Sequence, residues 1–363
     1  MKTKELLVSV LLTTAFAALF PSCDSNSDTV QSDPTISTGA YVLNEGKIKS
    51  NNASLTYYDL TTSTATGDVF TVKNNRGLGD TGQDILKYGS KLYIAVYKSS
   101  LIEVLDAATG VSTKSIPMLN ASSQPSSPRS LAALNGKVYI TLYDGHVARL
   151  DTTSLLIEKT ISVGSNPEGI AVANNKLYVA NSGGIAAVND STISVIDPVT
   201  FKVTGTIKVV INPTVIKADA YGDLYVISLG NYGTIPYTLQ RIQAATTEKV
   251  TVISGLKPYN LTIDGDIAYM YSYEYDANWN VANKTYATYD VKNEKLLKAA
   301  FITTASIAQT PYSIDVNPVT KDIYIGETDY VNTGKMYVFG QDGVLKFSFG
   351  TGVNPKKTIF LTK

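Results

Sequence analysis

One short pattern, an apolar strand with a tyrosine inside it, returns seven times along the chain. It reads Ala40-Tyr41-Val42-Leu43, Leu92-Tyr93-Ile94-Ala95, Val138-Tyr139-Ile140-Thr141, Leu177-Tyr178-Val179-Ala180, Leu224-Tyr225-Val226-Ile227, Ile267-Ala268-Tyr269-Met270 and Ile323-Tyr324-Ile325-Gly326. The spacing, roughly 40 to 55 residues, is that of propeller blades. A second alternating strand follows each copy, as in Ile193-Ser194-Val195-Ile196-Asp197, and then a third, as in Val203-Thr204-Gly205-Thr206-Ile207. From the second copy onward a proline or polar turn and an apolar strand come first, as in Asn166-Pro167-Glu168-Gly169-Ile170-Ala171-Val172. The first copy lacks that strand, and Thr358-Ile359-Phe360-Leu361 at the C-terminus is one strand too many. A closed ring needs this offset, whereas an open solenoid needs two polar caps. The pattern therefore predicts an all-β, seven-bladed β-propeller over residues 39–363, with four antiparallel strands per blade. Residues 358–362 are expected to close it by pairing with Tyr41–Asn44. No stretch after the N-terminal segment keeps a helical apolar face for three turns, so helix should be nearly absent.

Within that ring the repeated tyrosines are expected to pack between blades. Asp59, Asp106, Asp151, Asp197 and Asp290 are expected to cap the turns between third and fourth strands by Asx-type hydrogen bonds. Loop lengths distinguish the two faces of the ring. Turns such as Asn135-Gly136-Lys137 and Asn174-Asn175-Lys176 are tight, whereas loops 44–52, 73–83, 117–128, 181–190, 229–237, 272–284 and 327–334 are long and uneven. Binding residues concentrate in irregular loops on rigid scaffolds. These loops and the strand ends beneath them are rich in Tyr and Trp, which offer large contact area with few torsions to freeze. Tyr97, Tyr143, Tyr232, Tyr237, Tyr273, Tyr275, Trp279 and Tyr330 are the expected walls of a ligand site, with Arg76, Arg129 and Asn181 as polar contacts. Tyr259 and Tyr312 stand just after proline turns. The alternative is that part of this set only fills gaps between loops.

The N-terminal segment is read separately. Lys2 and Lys4 precede an apolar run from Leu6 to Phe20, followed by Pro21, Ser22 and Cys23. Residues 1–22 fit a secretory signal peptide and are too short a run to span a membrane. Cys23 is the sole cysteine, which rules out an intramolecular disulfide, and its place behind the apolar run points to lipidation. An ordinary signal peptide with an incidental cysteine is the alternative. Residues 23–38, polar and with few large apolar side chains, read as an acidic tether. Removing residues 1–22 turns 31 basic and 31 acidic residues into 29 and 30, which leaves no basic footprint for nucleic acid.

Several chemistries lack their residues. His146 is the single histidine, so a multi-histidine metal site is excluded, and no thiol beyond Cys23 exists for nucleophilic catalysis. Loop carboxylates Glu45, Asp80, Asp144, Glu274, Asp276, Glu327 and Asp329 would be needed for a glycosidase or lyase pair, but ordering of loops is the simpler role for each. The expectation is a binding protein, not an enzyme, with no cofactor and no resident metal.

The segments 166–172, 176–181, 191–197 and 203–207 resemble the YncE-like, YVTN-type propeller repeat, and the resemblance extends more weakly over residues 40–363. Residues 39–46 followed by 51–59 are similar to the opening of Bacteroidetes surface lipoproteins of this class, among which the BtuG type captures cobalamin and caps a TonB-dependent transporter. The resemblance implies a protein lipid-anchored on the outer membrane at the cell surface, with cobalamin or a related corrinoid as cargo and a TonB-dependent outer-membrane transporter as partner. A surface-layer adhesion or glycan-binding propeller is the second reading, and a propeller lyase or hydrolase the third.

Overall fold

The second strand of each repeat is apolar on both faces because both faces are buried. In the computed structural model, which describes residues 35–278, 280–302 and 307–363, the strands are numbered β1 to β28 in chain order. In β5 (Lys91–Val96), Leu92, Ile94 and Val96 pack against the preceding blade, while Tyr93 and Ala95 pack against the following one. Such a strand reads as a continuous apolar run. The signal segment 1–22, Cys23, most of the tether 23–38 and Trp279 lie outside the described residues.

Seven four-stranded antiparallel sheets form the ring. Seven apolar clusters hold it together, each combining residues of two neighbouring blades. The repeated tyrosines Tyr41, Tyr93, Tyr139, Tyr178, Tyr225, Tyr269 and Tyr324 are at most 4% exposed, and one sits in each interface. The inter-blade role expected for them is thus the one they have.

Closure follows the offset in the repeat. β28 (Pro355–Thr362) pairs antiparallel with β1 (Ser37–Asn44), from Ser37 opposite Thr362 to Asn44 opposite Pro355. Beyond the strands, Ile36 N–H donates to the Lys363 carbonyl at 3.0 Å and Lys363 N–H to that of Ile36 at 2.9 Å. The tight turns carry the backbone signature their residues permit: Asn135 and Gly136 have φ of 50° and 76°, the left-handed pair that a two-residue hairpin demands. Among the described residues there is one α-helix, α1 (Val69–Asn74), six residues long, which lies in the connection between blades one and two and buries Val69 and Phe70.

All five turn aspartates accept backbone N–H groups two or three residues on, Asp197 from Val199 and Thr200 at 2.8 Å each, for example. These backbone hydrogen bonds hold the carboxyls of Asp59 and Asp197 below their ordinary range, while for Asp106 and Asp290 the side-chain hydrogen bonds from Thr109 and Asn293 contribute most. For Asp151 the largest contribution is the hydrogen bond from Lys137.

Two outcomes follow. Truncation after Asn354 removes all of β28 and leaves an open apolar blade edge, so the product should be insoluble; a soluble, monomeric truncated chain in size-exclusion chromatography would contradict ring closure. The turn carboxylates, depressed in the folded state, contribute stability above an unfolded carboxyl pKa of about 4 that is lost as pH falls through their folded values. Urea midpoints should therefore drop on acidification, and Asp197→Ala should lower the midpoint at neutral pH while making little difference once the carboxyl is protonated.

Candidate functional site

The innermost strand of each blade lines the axis of the ring. These are β4 (Gly82–Tyr88), β8 (Pro128–Leu134), β12 (Pro167–Ala173), β16 (Pro213–Ala218), β20 (Asn260–Asp264), β24 (Thr310–Val316) and β28. Each is preceded or headed by a proline, or in β4 by Gly82, and the residue after it occupies the same place in every blade: Gln83, Arg129, Glu168, Thr214, Tyr259, Tyr312 and Lys356. In all but β20 the strand register slips at this point, so that this residue has no direct partner across the ladder. A bulge of this kind re-aims a side chain. The result is a ring of seven side chains that all line a central cavity of about 470 Å3.

On one side of the cavity the ring is ionic. The Arg129 guanidinium donates from Nε and Nη2 to the two oxygens of Glu168 at 2.8 and 2.9 Å, and from Nη1 to Gln83 Oε1 at 3.0 Å. Its central carbon lies over the rings of both Tyr97 and Tyr143, 4.7 and 4.8 Å from their centroids, and the two rings meet edge to face. Planar guanidinium stacking combined with a bidentate carboxylate pair is a role that lysine cannot fill. Burial acts against the charge, but Glu168, with Tyr143 and Glu45 behind it, more than offsets it and the Arg129 pKa is raised. Burial pushes the Tyr143 phenol up to about 12.

On the other side the ring is aromatic. Tyr259 and Tyr273 stack in parallel with centroids 3.9 Å apart, and Tyr271 lies beneath Tyr273 at 6.4 Å. Tyr237 meets Tyr259 edge-on at 4.8 Å and Tyr232 meets Tyr237 at 6.1 Å. Tyr275 stands edge-on to Tyr273 at 5.6 Å, and Tyr330 edge-on to Tyr312 at 5.8 Å. The Tyr312 hydroxyl donates to the Glu45 carboxylate, which also pairs with Lys356 at 3.0 Å. Burial raises the phenol pKa values of Tyr237, Tyr259, Tyr273 and Tyr330, so these hydroxyls remain proton donors at neutral pH. The wall thus offers flat apolar area together with hydroxyl tips.

Of the residues singled out from sequence, Arg129, Tyr143, Tyr232, Tyr273 and Tyr330 line the cavity. Tyr97, Tyr237 and Tyr275 pack against residues that do. Two expected polar contacts lie elsewhere. Arg76 pairs with the buried carboxylate of Glu103 at 2.7 Å and with Ser112, and its guanidinium lies over Phe70, which fastens the α1 loop to the outer strands of blade two. Asn181 is fully buried and donates to Thr192 and Ser194 at 2.9 Å each, tying two strands of blade four together. Loop carboxylates are likewise engaged: Asp276 and Asp329 accept backbone N–H groups of their own loops, and Glu327 accepts from Tyr337 and Gln309. Sequence reasoning passed over Gln83, Glu168, Thr214 and Lys356. Their signal was available in the position that follows each repeated proline or glycine.

Among solved structures, the chain is similar to hydrazine synthase of Kuenenia stuttgartiensis, at 18% identity and a TM-score of 0.60 over 74% of this chain and 85% of that one. A chain of the mitotic checkpoint complex gives 11% identity and a TM-score of 0.55, over 93% of this chain and 89% of its own. The dihydro-heme d1 dehydrogenase NirN in complex with DHE gives 12% and 0.52, over 84% and 63% respectively. At these identities the likeness is one of fold. No curated protein matches the chain in sequence. One family does match, over residues 38–360 and so over nearly the whole propeller, and the chain belongs to it: the family described as Domain of unknown function (DUF5074).

Proposed function

We propose that this chain is a surface lipoprotein that captures a small molecule in the mouth of its central cavity and passes it to a TonB-dependent outer-membrane transporter. Cobalamin, or a related corrinoid, is the cargo we favour, and the protein is read as a YncE-like propeller of the BtuG type. The observation that carries the capture role is the pairing, around one cavity, of the Arg129–Glu168–Gln83 cluster with a wall of protonated tyrosines. Pockets that fix a ligand combine apolar walls with a few placed polar groups. A corrinoid is wide, partly apolar and fringed with amides. The stacked face of Tyr273 and Tyr259 suits its apolar parts, while phenol hydroxyls and the Gln83 side chain suit the amides. Choice of this ligand among others rests on the sequence resemblance at residues 39–59. The loop carboxylates serve as loop and pocket struts, which favours binding over catalysis.

A ligand wider than the cavity rests on the exposed rim, where Tyr232, Tyr275 and Tyr330 are 69, 44 and 43% exposed. Membrane attachment through Cys23 would hold this trap beside its transporter, and the tether raises the effective concentration of one for the other.

Calorimetric titration with cyanocobalamin should show one-to-one binding. Tyr275→Ala should weaken it about tenfold while shifting stability by no more than about 0.5 kcal/mol. Arg129→Lys should weaken it as well, through loss of the planar stack. A flat titration, together with binding to a glycan array, would replace the corrinoid with the glycan reading. Separately, Cys23→Ala should move the protein from the membrane fraction to the soluble fraction, and a variant still held in membranes would exclude lipidation as the anchor.

A further inference from the structure

Among the described residues, four cations line the central cavity, and three of them have a carboxylate in contact. Arg129 holds Glu168, Lys356 holds Glu45 at 3.0 Å, and Lys357 holds Asp84 at 2.6 Å. The fourth, Lys217 on β16, has an ammonium that makes no hydrogen bond and no ion pair with any described residue. The charges around it are Lys357, Asp84 and Asp315, which act on it without contact. Both carboxylates already accept from other groups, Asp84 at both oxygens and Asp315 at one. Asp84 accepts from Ile85 N–H and Lys357 at one oxygen and from Leu131 N–H at the other, and Asp315 accepts from Thr358 N–H at 2.7 Å.

A half-buried ammonium with no acceptor in contact loses hydration, and here the carboxylates at a distance do not make good that loss. Burial first, and Lys357 second, push the Lys217 pKa down. A bound anion would reverse both penalties, because it supplies the acceptor and the opposite charge together. From this geometry we infer that the depth of the channel is an oxyanion subsite, in which the Lys217 ammonium donates to a carboxylate or phosphate-ester oxygen of the captured molecule. The inference rests on the cavity being a ligand site and not on the ligand being a corrinoid.

Charge balance couples the subsite to protons. With Glu45, Asp84, Glu168 and Asp315 ionised, four carboxylates offset Arg129, Lys217, Lys356 and Lys357. An entering anion makes the set negative. Asp315, raised to about 6 chiefly by burial, is placed to take up a proton. A bound anion raises its pKa further, so the loaded state holds more protons than the empty one and affinity increases as pH falls from about 7.5 to about 5.5. Lys217, Lys357, Asp84 and the Thr358 N–H all face this carboxyl and set the same equilibrium.

The test is calorimetric titration of the full chain with sodium acetate and with methyl phosphate, against sodium chloride, at about pH 6.5. At least one oxyanion should bind. Binding of acetate alone identifies a carboxylate ligand, and binding of methyl phosphate alone a phosphate ester. Lys217→Met should weaken the interaction at least about tenfold, with a thermal midpoint equal to or above that of the parent. Lys217→Arg should retain it, which guards against a folding artefact. Read with acetate, which stays largely ionised over this range whereas methyl phosphate does not, Asp315→Asn should still bind but lose the rise in affinity toward acid. Absence of binding for both anions, or unchanged binding in Lys217→Met, overturns the proposal. Oxyanion binding by a protein that ignores cyanocobalamin supports the subsite and removes the corrinoid reading alone.

Discussion

The last strand of the chain, β28, lies between the first, β1, and the cavity, and the rest of the molecule depends on that pairing. Each blade buries both of its faces against its neighbours, so a ring of seven blades has no spare face only if it is closed. Opening it at one place exposes the cluster between blades seven and one, with Val42, Tyr58, Tyr324 and Phe349. It also opens the cluster between blades one and two, against which Ile359 and Leu361 of β28 pack. Closure therefore ties two apolar interfaces to one set of backbone hydrogen bonds. Since β28 also carries Lys356 and Lys357, the cavity acquires two of its four cations only when the ring has shut. Folding and assembly of the site are a single event here.

Bulges at the heads of the inner strands translate the ring into a pocket. Without them, the residue after the proline would follow the alternation of its strand and take a place in the ladder. With them, a side chain from six of the seven blades is delivered to the axis, where Tyr259 of the remaining blade joins them, and neighbours along the ring meet. Arg129 shows what this allows. It joins Gln83 of blade two, its own blade three and Glu168 of blade four, and it is gripped by tyrosines from loops of blades two and three. Removing it would disturb three blades at the mouth while leaving the apolar interfaces beneath intact.

Blade number, strand order and closing offset were legible in the sequence because they rest on repeats, and a repeated tyrosine in seven copies is hard to read otherwise. The candidate site was legible in part. Loop length located the face, and aromatic content located its walls, since these follow chain connectivity. Arg76 and Asn181 were misplaced for a physical reason. Arg76 leaves a long loop on the expected face, but the buried Glu103 carboxylate two strands away draws it to the outside of the blade. Asn181 ends a strand on that face with its side chain turned inward to the hydroxyls of Thr192 and Ser194. Side-chain direction at a strand end depends on partners far along the chain, and no local pattern reveals it. Lys217 was passed over for a similar reason, since a lysine in an inner strand looks like ordinary surface until the cavity is drawn.

The hydrogen-bonded ends of the propeller carry one more consequence. Ile36 and Lys363 meet beside the turn that contains Asn317, which accepts from Ser37. That turn joins the first and second strands of blade seven and so belongs to the rim of short hairpins, across the disc from the tyrosine wall. The point of entry of the chain and its point of exit therefore share one rim, and the mouth of the cavity opens on the other. A load attached at either terminus of the propeller, whether an anchor, a fusion partner or a sensor surface, meets the disc from behind and leaves the mouth unobstructed.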